Sequence, residues 1–331
     1  MKENLQKYWF VVLVALALVF GIIYYTVTSA KNTELATVKG KSIDGADVVY
    51  SFNGNNVFAD EFFDQLNGIY GRDIEGIYFT KEVVGQFVET TDEMKDSAAE
   101  QAEQTVTYFT QQYGDTADTV LASQLEQIGF SGDDALNDYY INSLKTNKVL
   151  EDFITINEKE AYDNYVAEKK PRTVSHILVT MEDPENPTEE EAAKLQQVKD
   201  ALANGTSFEE AAYQFSDDST AQQYGSLGFV DADTQFVESF LQTALNTEAG
   251  QTSEWTESEY GWHLIKVNST DLADFISDQT FNTNFTAFDS NLTYNLSTEA
   301  LLNAANSLDI EYANDDVKAN IDAYLGIGES N

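Results

Sequence analysis

Proline is confined to one short stretch of this chain. All three prolines, Pro171, Pro184 and Pro187, lie within 17 residues of a sequence of 331 residues. Proline interrupts helices and the interiors of sheets, so the long proline-free segments on either side can form extended helices. A unit with a different pattern therefore begins near residue 170, and a chain of this length is expected to form two or three domains.

The segments that flank this unit have helical spacing. Residues 60–165 carry apolar positions three and four apart, and residues 270–325 repeat that pattern with Phe281, Phe285 and Phe288. Near the start, Val48–Leu66 predicts a strand, a turn at Asn53-Gly54, a second strand and a helix capped near Asp60. The sequence thus predicts four parts. They are a leader with an apolar segment (1–30), a helical domain (31–168), an α+β domain (171–268) and a helical segment that packs with the first helical domain (270–331).

The middle unit alternates strands and helices. Thr173–Thr180 reads as a central strand, and Gly261–Val267 closes the unit as another strand. Capping boxes at Thr188 and Ser207 predict two helices between these strands. A glycine-bearing strand and a short helix over 236–245 follow, which gives a compact α+β domain.

The amino-terminal region contains an uncharged run of 20 residues, Tyr8–Val27, preceded by Lys2 and Lys7. Twenty apolar residues suffice to cross a bilayer as a helix, and a basic leader stays on the cytoplasmic side. The sequence predicts a single-pass cell-membrane protein whose residues after about 30 lie on the extracytoplasmic side. A cleaved signal peptide ending near Ala30 is the alternative.

Charge and cysteine content exclude several functions. The chain has 57 acidic and 18 basic side chains, a formal net charge of −39, so it has no basic surface for nucleic acid. It has no cysteine, which removes disulfides, thiolate nucleophiles and lipid anchors on cysteine.

The chain has only two histidines, His176 and His263, and each lies on a predicted strand of the α+β unit. Two histidines 87 residues apart make a weak zinc site, so no metal or other cofactor is predicted. Asp217-Asp218 and the pair Asp231 and Asp233 could in principle bind calcium, but solvated acidic side chains are the simpler interpretation. A lone histidine in a strand is usually a core residue, so the surrounding motifs decide its meaning.

Four sequence blocks in the α+β unit carry a resemblance. They are Ser175–Val179 (SHILV), the helix from Phe208 that leads into Phe215–Asp218 (FSDD), Gly225–Phe229 (GSLGF), and Tyr260–Val267 (YGWHLIKV). In order and spacing these blocks resemble the parvulin-type peptidyl-prolyl isomerases, over roughly residues 171–268. With its apolar leader and flanking helices, the whole chain resembles the PrsA type of extracytoplasmic foldase.

The resemblance implies a fold and a set of site residues. It implies an antiparallel sheet with helices, inserted between two parts of a mainly helical chaperone domain. His176, Asp218 and His263 match the family's catalytic positions. The positions that bind substrate match Leu227, Phe236, Phe240 and Tyr260, with one extra residue in the loop that leads to Phe236.

The function implied is cis/trans isomerisation of X-Pro bonds in exported proteins, together with chaperone-like binding of clients. Rotation about this amide faces a barrier of about 18–20 kcal/mol, and an apolar pocket that favours the twisted amide lowers it without breaking a bond. The family's site implies that Asp218 orients the histidine pair. The expected partners are unfolded exported polypeptides that contain proline, the membrane, and a second copy bound through the helical domains.

Two alternatives remain open at this stage. A non-catalytic holdase would use the same fold only as a binding platform, and a purely structural surface protein would have neither activity. Some parvulins select a phosphorylated residue before proline. Residues 171–267 contain 4 basic and 18 acidic side chains, and this excess of negative charge argues against such specificity.

Overall fold

The computed structural model describes residues 41–43 and 45–327. The apolar segment Tyr8–Val27 and its basic leader lie outside these described residues. Every helix in the described ranges is too short or too polar to span a bilayer. The membrane segment expected from the sequence therefore stays a prediction.

Contacts along the chain define two compact units. Among the described residues, one unit consists of those up to Lys145 together with those from Leu308 onward, and the other is Thr146–Ser307. The domain limits expected from the sequence pattern stay a prediction.

The first unit opens with a small antiparallel sheet of three strands in the order β1-β2-β3. Its strands are β1 (Lys41–Ile43), β2 (Ala46–Phe52) and β3 (Asn55–Phe58). Asn53 and Gly54 join β2 to β3 with φ of +48° and +87°, the left-handed pair that a tight hairpin requires. This confirms the predicted strand, turn and strand.

Helix α1 (Ala59–Phe87) follows the hairpin directly, and Phe58 occupies the N-cap position without a side-chain hydrogen bond. The expected cap near Asp60 is wrong in this detail. Asp60 lies within the first turn, where its charge is favourable beside the positive end of the helix dipole.

The next three helices of this unit follow α1 through short segments, and a fourth comes from the carboxy-terminal part of the unit. They are α2 (Asp92–Tyr113), α3 (Ala117–Gln127), α4 (Ala135–Ile156, which continues past Lys145) and α11 (Asp315–Tyr324). Helix α11 packs closely on α1, because a side chain at Gly76 would overlap the Tyr324 ring. Asn320 also donates a hydrogen bond of 3.0 Å to Glu75.

The second unit is built around an antiparallel sheet of four strands in the order β5-β4-β7-β6. Its strands are β4 (Arg172–Thr180), β5 (Ser226–Val230), β6 (Thr256–Ser258) and β7 (Gly261–Ser269). Its helices are α5 (Lys159–Lys169), α6 (Glu189–Ala203), α7 (Phe208–Phe215), α8 (Glu238–Asn246), α9 (Gln279–Phe288) and α10 (Leu296–Asn306). The structure confirms the predicted α+β character and the central, mostly buried strand β4.

Two apolar layers cover the faces of this sheet. On one face, Ile177, Val179 and Leu264 pack with residues of α6 and α7. On the other, Val174 and Ile265 pack with the buried residues of α8. Alternate residues of a strand share a face, so His176 and His263 lie on the α8 side of the sheet.

The predicted caps start α6 and α7. Thr188 and Glu191 form the complete capping box at α6. At α7 the Ser207 hydroxyl accepts from the Glu210 N–H, which is the half of the box that stabilises the first turn.

Helices α5 and α9 pack together through aromatic rings. The Tyr165 ring lies 5.4 Å from Phe285 and 5.9 Å from Phe281, measured between centroids. Phe281 also contacts Phe229 at the end of β5, at 5.7 Å. The helices that flank the sheet therefore share a buried aromatic core with its edge strand.

Candidate active site

The two histidines meet on neighbouring strands. In the β4–β7 pairing, His176 lies opposite Ile265 and Leu178 lies opposite His263, so the two imidazoles are diagonal neighbours on one face. Their ring centroids are 5.8 Å apart and the rings are nearly parallel, at 14°. Both side chains are buried, at 5% exposure. The two strands predicted to carry the histidines thus bring the imidazoles next to each other.

Asp218 lies beside the first histidine. Its Oδ1 is 3.3 Å from His176 Nε2, and it also accepts hydrogen bonds from the N–H and hydroxyl of Thr220. The contact with His176, followed by the bonds from Thr220, holds the pKa of Asp218 well below its usual range despite partial burial. Asp218 is therefore ionised at neutral pH.

The second histidine has a different partner, Ser258. The Ser258 hydroxyl lies 2.6 Å from His263 Nε2 and also accepts a hydrogen bond from the N–H of Tyr260. The family resemblance implied that Asp218 orients both rings. The structure instead pairs Asp218 with His176 and Ser258 with His263.

Burial sets the charge of His263. Removal from water, followed by the charge of His176, lowers the pKa of His263 to about 4, while Asp218 acts in the opposite direction. His263 is therefore neutral at pH 7. Its Nδ1 has no hydrogen-bond partner among the residues that the structure describes.

An apolar surface borders the histidine pair. Phe240, at 4% exposure, directs its ring edge-to-face towards both His176 and His263, with centroids 5.4 and 5.2 Å away. Phe236 packs on Phe240 at 5.0 Å and is partly open to solvent, at 36% exposure. Leu227 packs against the same layer.

Strand β5 and helix α8 position these apolar residues. Leu227 lies at an irregularity in the β4–β5 pairing. Helix α8 begins at Glu238, so Phe240 is in its first turn, whereas Phe236 precedes the helix that was expected to include it. The three predicted apolar residues are thus assembled next to the histidines by a strand, a loop and a helix.

Tyr260 is placed differently from the other predicted site residues. It lies in the turn between β6 and β7 with its side chain 56% exposed. Its backbone N–H bonds to Ser258, and its carbonyl accepts from the Met181 N–H. Through its backbone, Tyr260 supports Ser258, but its ring has no hydrogen bond or ring contact with the residues that the structure describes.

Little in the amino-acid sequence points to Ser258. It belongs to a strand of three polar residues, Thr256–Ser258, without the apolar alternation by which strands are recognised. The available signal is its distance of five residues from His263, which suits a tight hairpin that folds a hydroxyl back over the ring.

The structure also bears on the possibility of a cation site. No group of three or more His, Cys, Asp or Glu side chains suitable for a metal occurs in 41–43 and 45–327. The interpretation of Asp231 as a solvated acid is wrong, because this residue is fully buried and hydrogen-bonded. Asp233 is exposed and lies 3.1 Å from Lys169, as expected of a surface acid.

The side chains of this site together limit the kind of reaction that it can support. The site combines a water-poor aromatic wall, two buried imidazoles and an ionised carboxylate, and the cysteine-free chain offers no thiolate to attack a substrate. Such an arrangement can bind a small apolar ring and place hydrogen-bonding groups beside a polar bond attached to it. It suits a rearrangement that breaks no covalent bond.

Comparisons with known proteins agree with this geometry. Residues 176–269 match the family model described as "Rotamase: PPIC-type PPIASE domain". The chain is 35% identical over 147 residues to "Foldase protein PrsA 3" of Bacillus anthracis, which is 44% of this chain and 46% of that protein. It is 27% identical over 244 residues to "Foldase protein PrsA" of Geobacillus kaustophilus, which is 72% of this chain and 76% of the relative. The first of these matches thus spans about half of the relative's length.

Among solved structures, the chain matches the crystal structure of PrsA from Bacillus subtilis. It is 21% identical, with a TM-score of 0.41, and the match covers 83% of this chain and 98% of that chain.

Proposed function

We propose that this chain is a PrsA-like parvulin that catalyses cis/trans isomerisation of X-Pro bonds in exported polypeptides and binds them while they are unfolded. The observation that carries the proposal is the contact of the His176–His263 pair with Phe240. It places polar groups and an apolar wall around one small space, as the rotation of an amide next to a pyrrolidine ring requires.

In the proposed reaction, Leu227, Phe236 and Phe240 hold the proline ring. These apolar side chains exclude water from the amide, and the partly exposed Phe236 borders solvent, where a peptide can enter. An amide that loses its hydrogen bonds to water loses part of the stabilisation of its planar, charge-separated resonance form. The pocket therefore favours the twisted amide over the planar one.

The polar residues act by orientation. Asp218 fixes His176, and Ser258 fixes His263, so neither imidazole needs to reorganise as the amide rotates. The low pKa of His263 keeps that ring neutral at pH 7, so it can donate or accept a hydrogen bond without carrying charge into an apolar pocket. No step requires a nucleophile.

An exposed apolar face on α1 supports a chaperone-like function. Phe63, Leu66, Tyr70 and Ile74 follow the spacing of three and four that places residues on one side of a helix, and all four are exposed. Soluble proteins seldom expose such a continuous apolar strip without a binding partner. We assign unfolded clients to this face. A homodimer formed through the helical domains would use the same kind of surface.

The proposed arrangement of the chain follows from these assignments. Residues 171–268 form the isomerase domain, inserted between 31–168 and 270–331, and the packing of α11 on α1 supports a pairing of the two flanking parts. Tyr8–Val27 anchors the protein in the membrane, with everything after about residue 30 on the extracytoplasmic side. Loss of that segment by signal cleavage would release the protein instead.

A direct assay of X-Pro exchange tests the proposed catalysis. We expect the chain to accelerate cis/trans exchange in a short X-Pro peptide, and His263→Ala to lower kcat/KM at least about tenfold, equivalent to one lost hydrogen bond of about 1.4 kcal/mol. Exchange measured by magnetisation-transfer NMR gives both rates. The control is Gln196→Ala, an exposed residue on α6, across the sheet from the histidines.

The same preparations distinguish catalysis from client binding alone. If the unsubstituted chain suppresses aggregation of an unfolded client but leaves X-Pro exchange at its uncatalysed rate, the protein is a holdase and the catalytic proposal is wrong. If it does neither, a structural role is the remaining explanation.

A further inference from the structure

Asp231 is a fully buried carboxylate at the end of β5, outside the histidine site. Its two oxygens accept four hydrogen bonds. Tyr165 Oη and Asn284 Nδ2 donate to Oδ2, at 2.7 and 2.8 Å. The Asp233 N–H and the Thr234 hydroxyl donate to Oδ1, at 2.9 and 3.3 Å. A buried carboxylate is tolerated only with such compensation, so this set of bonds defines a specific geometry.

The four donors lie on one loop and on two helices. Asp233 and Thr234 belong to the loop that leads from β5 to α8. Tyr165 lies on α5, before the isomerase domain, and Asn284 lies on α9, after it. One carboxylate thus connects the loop of the isomerase domain to the helices on either side of that domain.

The loop continues from Asp231 into the proline pocket. The Thr234 N–H bonds to the Asp231 carbonyl at 3.1 Å, and the Phe236 N–H bonds to the Thr234 carbonyl at 2.9 Å. Phe236 then packs on Phe240, whose ring touches both histidines. Four residues therefore separate Asp231 from Phe236, the most solvent-exposed wall of the pocket, and two consecutive backbone hydrogen bonds connect them.

We propose that Asp231 is a positioning residue through which helices α5 and α9 hold Phe236 in place against the proline ring. The expected change in KM rests on the proposed isomerase function. The mobility of the loop can be measured whether or not the protein is an isomerase. The pocket of this domain is then completed by Tyr165 and Asn284, which lie outside the residues matched by the family model, 176–269.

Packing alone does not explain this arrangement. The aromatic contacts of Tyr165 with Phe281 and Phe285 already join α5 to α9. A buried carboxyl group adds desolvation cost to an interface that apolar residues would stabilise. The carboxylate instead fixes the orientation of the loop relative to the helices. Both loop donors bind one of its oxygens, and both helix donors bind the other.

Removal of one hydroxyl tests the inference with little disturbance. Tyr165→Phe keeps the ring in its aromatic contacts and deletes the bond to Asp231. The matched control is Tyr162→Phe, one turn earlier on α5. Tyr162 packs on Phe285 in the same way, and its hydroxyl has no hydrogen bond to the described residues. Asp231→Asn serves as a second, stronger variant.

The absence of cysteine from the chain allows a probe beside Phe236. A nitroxide attached at Gln235→Cys, an exposed loop position, reports loop mobility in the full chain by electron paramagnetic resonance. We expect Tyr165→Phe and Asp231→Asn to increase the nitroxide mobility and Tyr162→Phe to leave it unchanged. In unlabelled protein, Tyr165→Phe should raise KM for an X-Pro peptide about threefold or more and change kcat less than twofold, because the ring wall is displaced and the histidines are not.

A double substitution separates positioning from general destabilisation. In a Phe236→Ala background, Tyr165→Phe should no longer affect KM, because the residue through which it acts is gone, whereas a loss of stability would persist. Unchanged nitroxide mobility in both Tyr165→Phe and Asp231→Asn would overturn the inference, whether or not the protein is active. Increased mobility in a chain without X-Pro exchange would support the positioning role and refute the proposed function.

Discussion

His176 and His263 are chemically the same side chain in two different environments. His176 faces the ionised Asp218, while His263 faces a neutral hydroxyl and is shielded from water by Phe240. The two imidazoles therefore differ in their electrostatic surroundings, whereas two histidines in water would not. One ring is tied to a negative charge and the other is kept uncharged.

The lowered pKa of His263 predicts how stability depends on pH. Its ordinary value is 6.5 and its value in the folded protein is about 4, so between these limits the unfolded chain binds a proton that the folded chain does not. The free energy of unfolding should therefore fall as pH drops from 6.5 to 4, by up to roughly 3 kcal/mol from this residue. The lowered pKa of Asp218 acts below pH 4 and does not contribute in this window.

Urea unfolding at pH 7.5, 5.5 and 4.5 measures this dependence. His263→Asn removes the titrating group, so the variant should lose less stability than the unsubstituted chain over the same interval. Equal losses in both proteins would contradict a lowered pKa for His263. Because the many surface acids titrate equally in both, the difference isolates the one residue.

Individual residues also show how far sequence reasoning reaches. His176, Asp218, Leu227, Phe236 and Phe240 were identified through a resemblance to a family, and all five lie in one site. Ser258 was missed because a single hydroxyl carries no recognisable pattern. The burial of Asp231 was missed because an acid in a loop is ordinarily solvated, and only the tertiary placement of Tyr165 and Asn284 makes its burial favourable.

At the scale of elements, the close pairing of β4 with β7 depends on a glycine. Gly261 begins β7 with φ of +133°, and a β-carbon there would lie 2.1 Å from the Val179 carbonyl oxygen and 2.8 Å from the Met181 nitrogen. These are backbone atoms of the neighbouring strand and the residue beyond it, and they cannot move aside independently of the sheet. The strand that carries His263 can thus approach β4 only with glycine at this position.

Gly261→Ala should accordingly destabilise the protein by about 3 kcal/mol or more, since it combines a strained backbone with overlap in the sheet. Gly250→Ala is the control, because Gly250 has φ of +76° but no atom lies within 4 Å of the added carbon. This substitution should therefore cost only the strain of the left-handed backbone, about 1 kcal/mol. Denaturant midpoints of the two variants give the comparison. Similar midpoints would show that β7 does not need its close approach to β4.

Element types followed from local pattern better than element limits did. Caps and apolar periodicity predicted α6, α7, β4 and β7, because these elements each have one buried face or two. Helix α8 starts two residues later than expected, because the loop before it is held at Asp231 by hydrogen bonds from Tyr165 and Asn284, which are distant in sequence. Strand β6 has three residues and no apolar pattern, so only its pairing with β7 defines it.

For the molecule as a whole, charge is the dominant feature. The formal net charge is −39, and residues 171–267 carry 4 basic and 18 acidic side chains. Such a field attracts cationic polypeptides and repels acidic ones over distances of about a Debye length, near 10 Å at 0.1 M salt. Among unfolded clients, those rich in lysine and arginine should therefore associate faster.

Two X-Pro peptides that differ only in flanking lysine or glutamate test this expectation. At 20 mM salt, kcat/KM should be higher for the lysine peptide, and at 500 mM salt the two values should converge as the charges are screened. A ratio that does not change with salt would attribute any preference to contacts in the pocket rather than to the overall field. Peptide cis fractions measured in each buffer provide the control.

The pairing of β4 with β7 has a consequence for the order of folding. The two histidines are 87 residues apart in sequence and meet only when these strands join, so the site arises from contacts among the least local in its domain. Closing so long a segment is entropically slow, and helices such as α6 and α7 can form earlier from nearby residues. A chain that emerges amino-terminus first thus carries only His176 of the pair until β7 has emerged. The proposed isomerase site of a given chain therefore cannot act while β4 and β7 of that same chain are still unpaired.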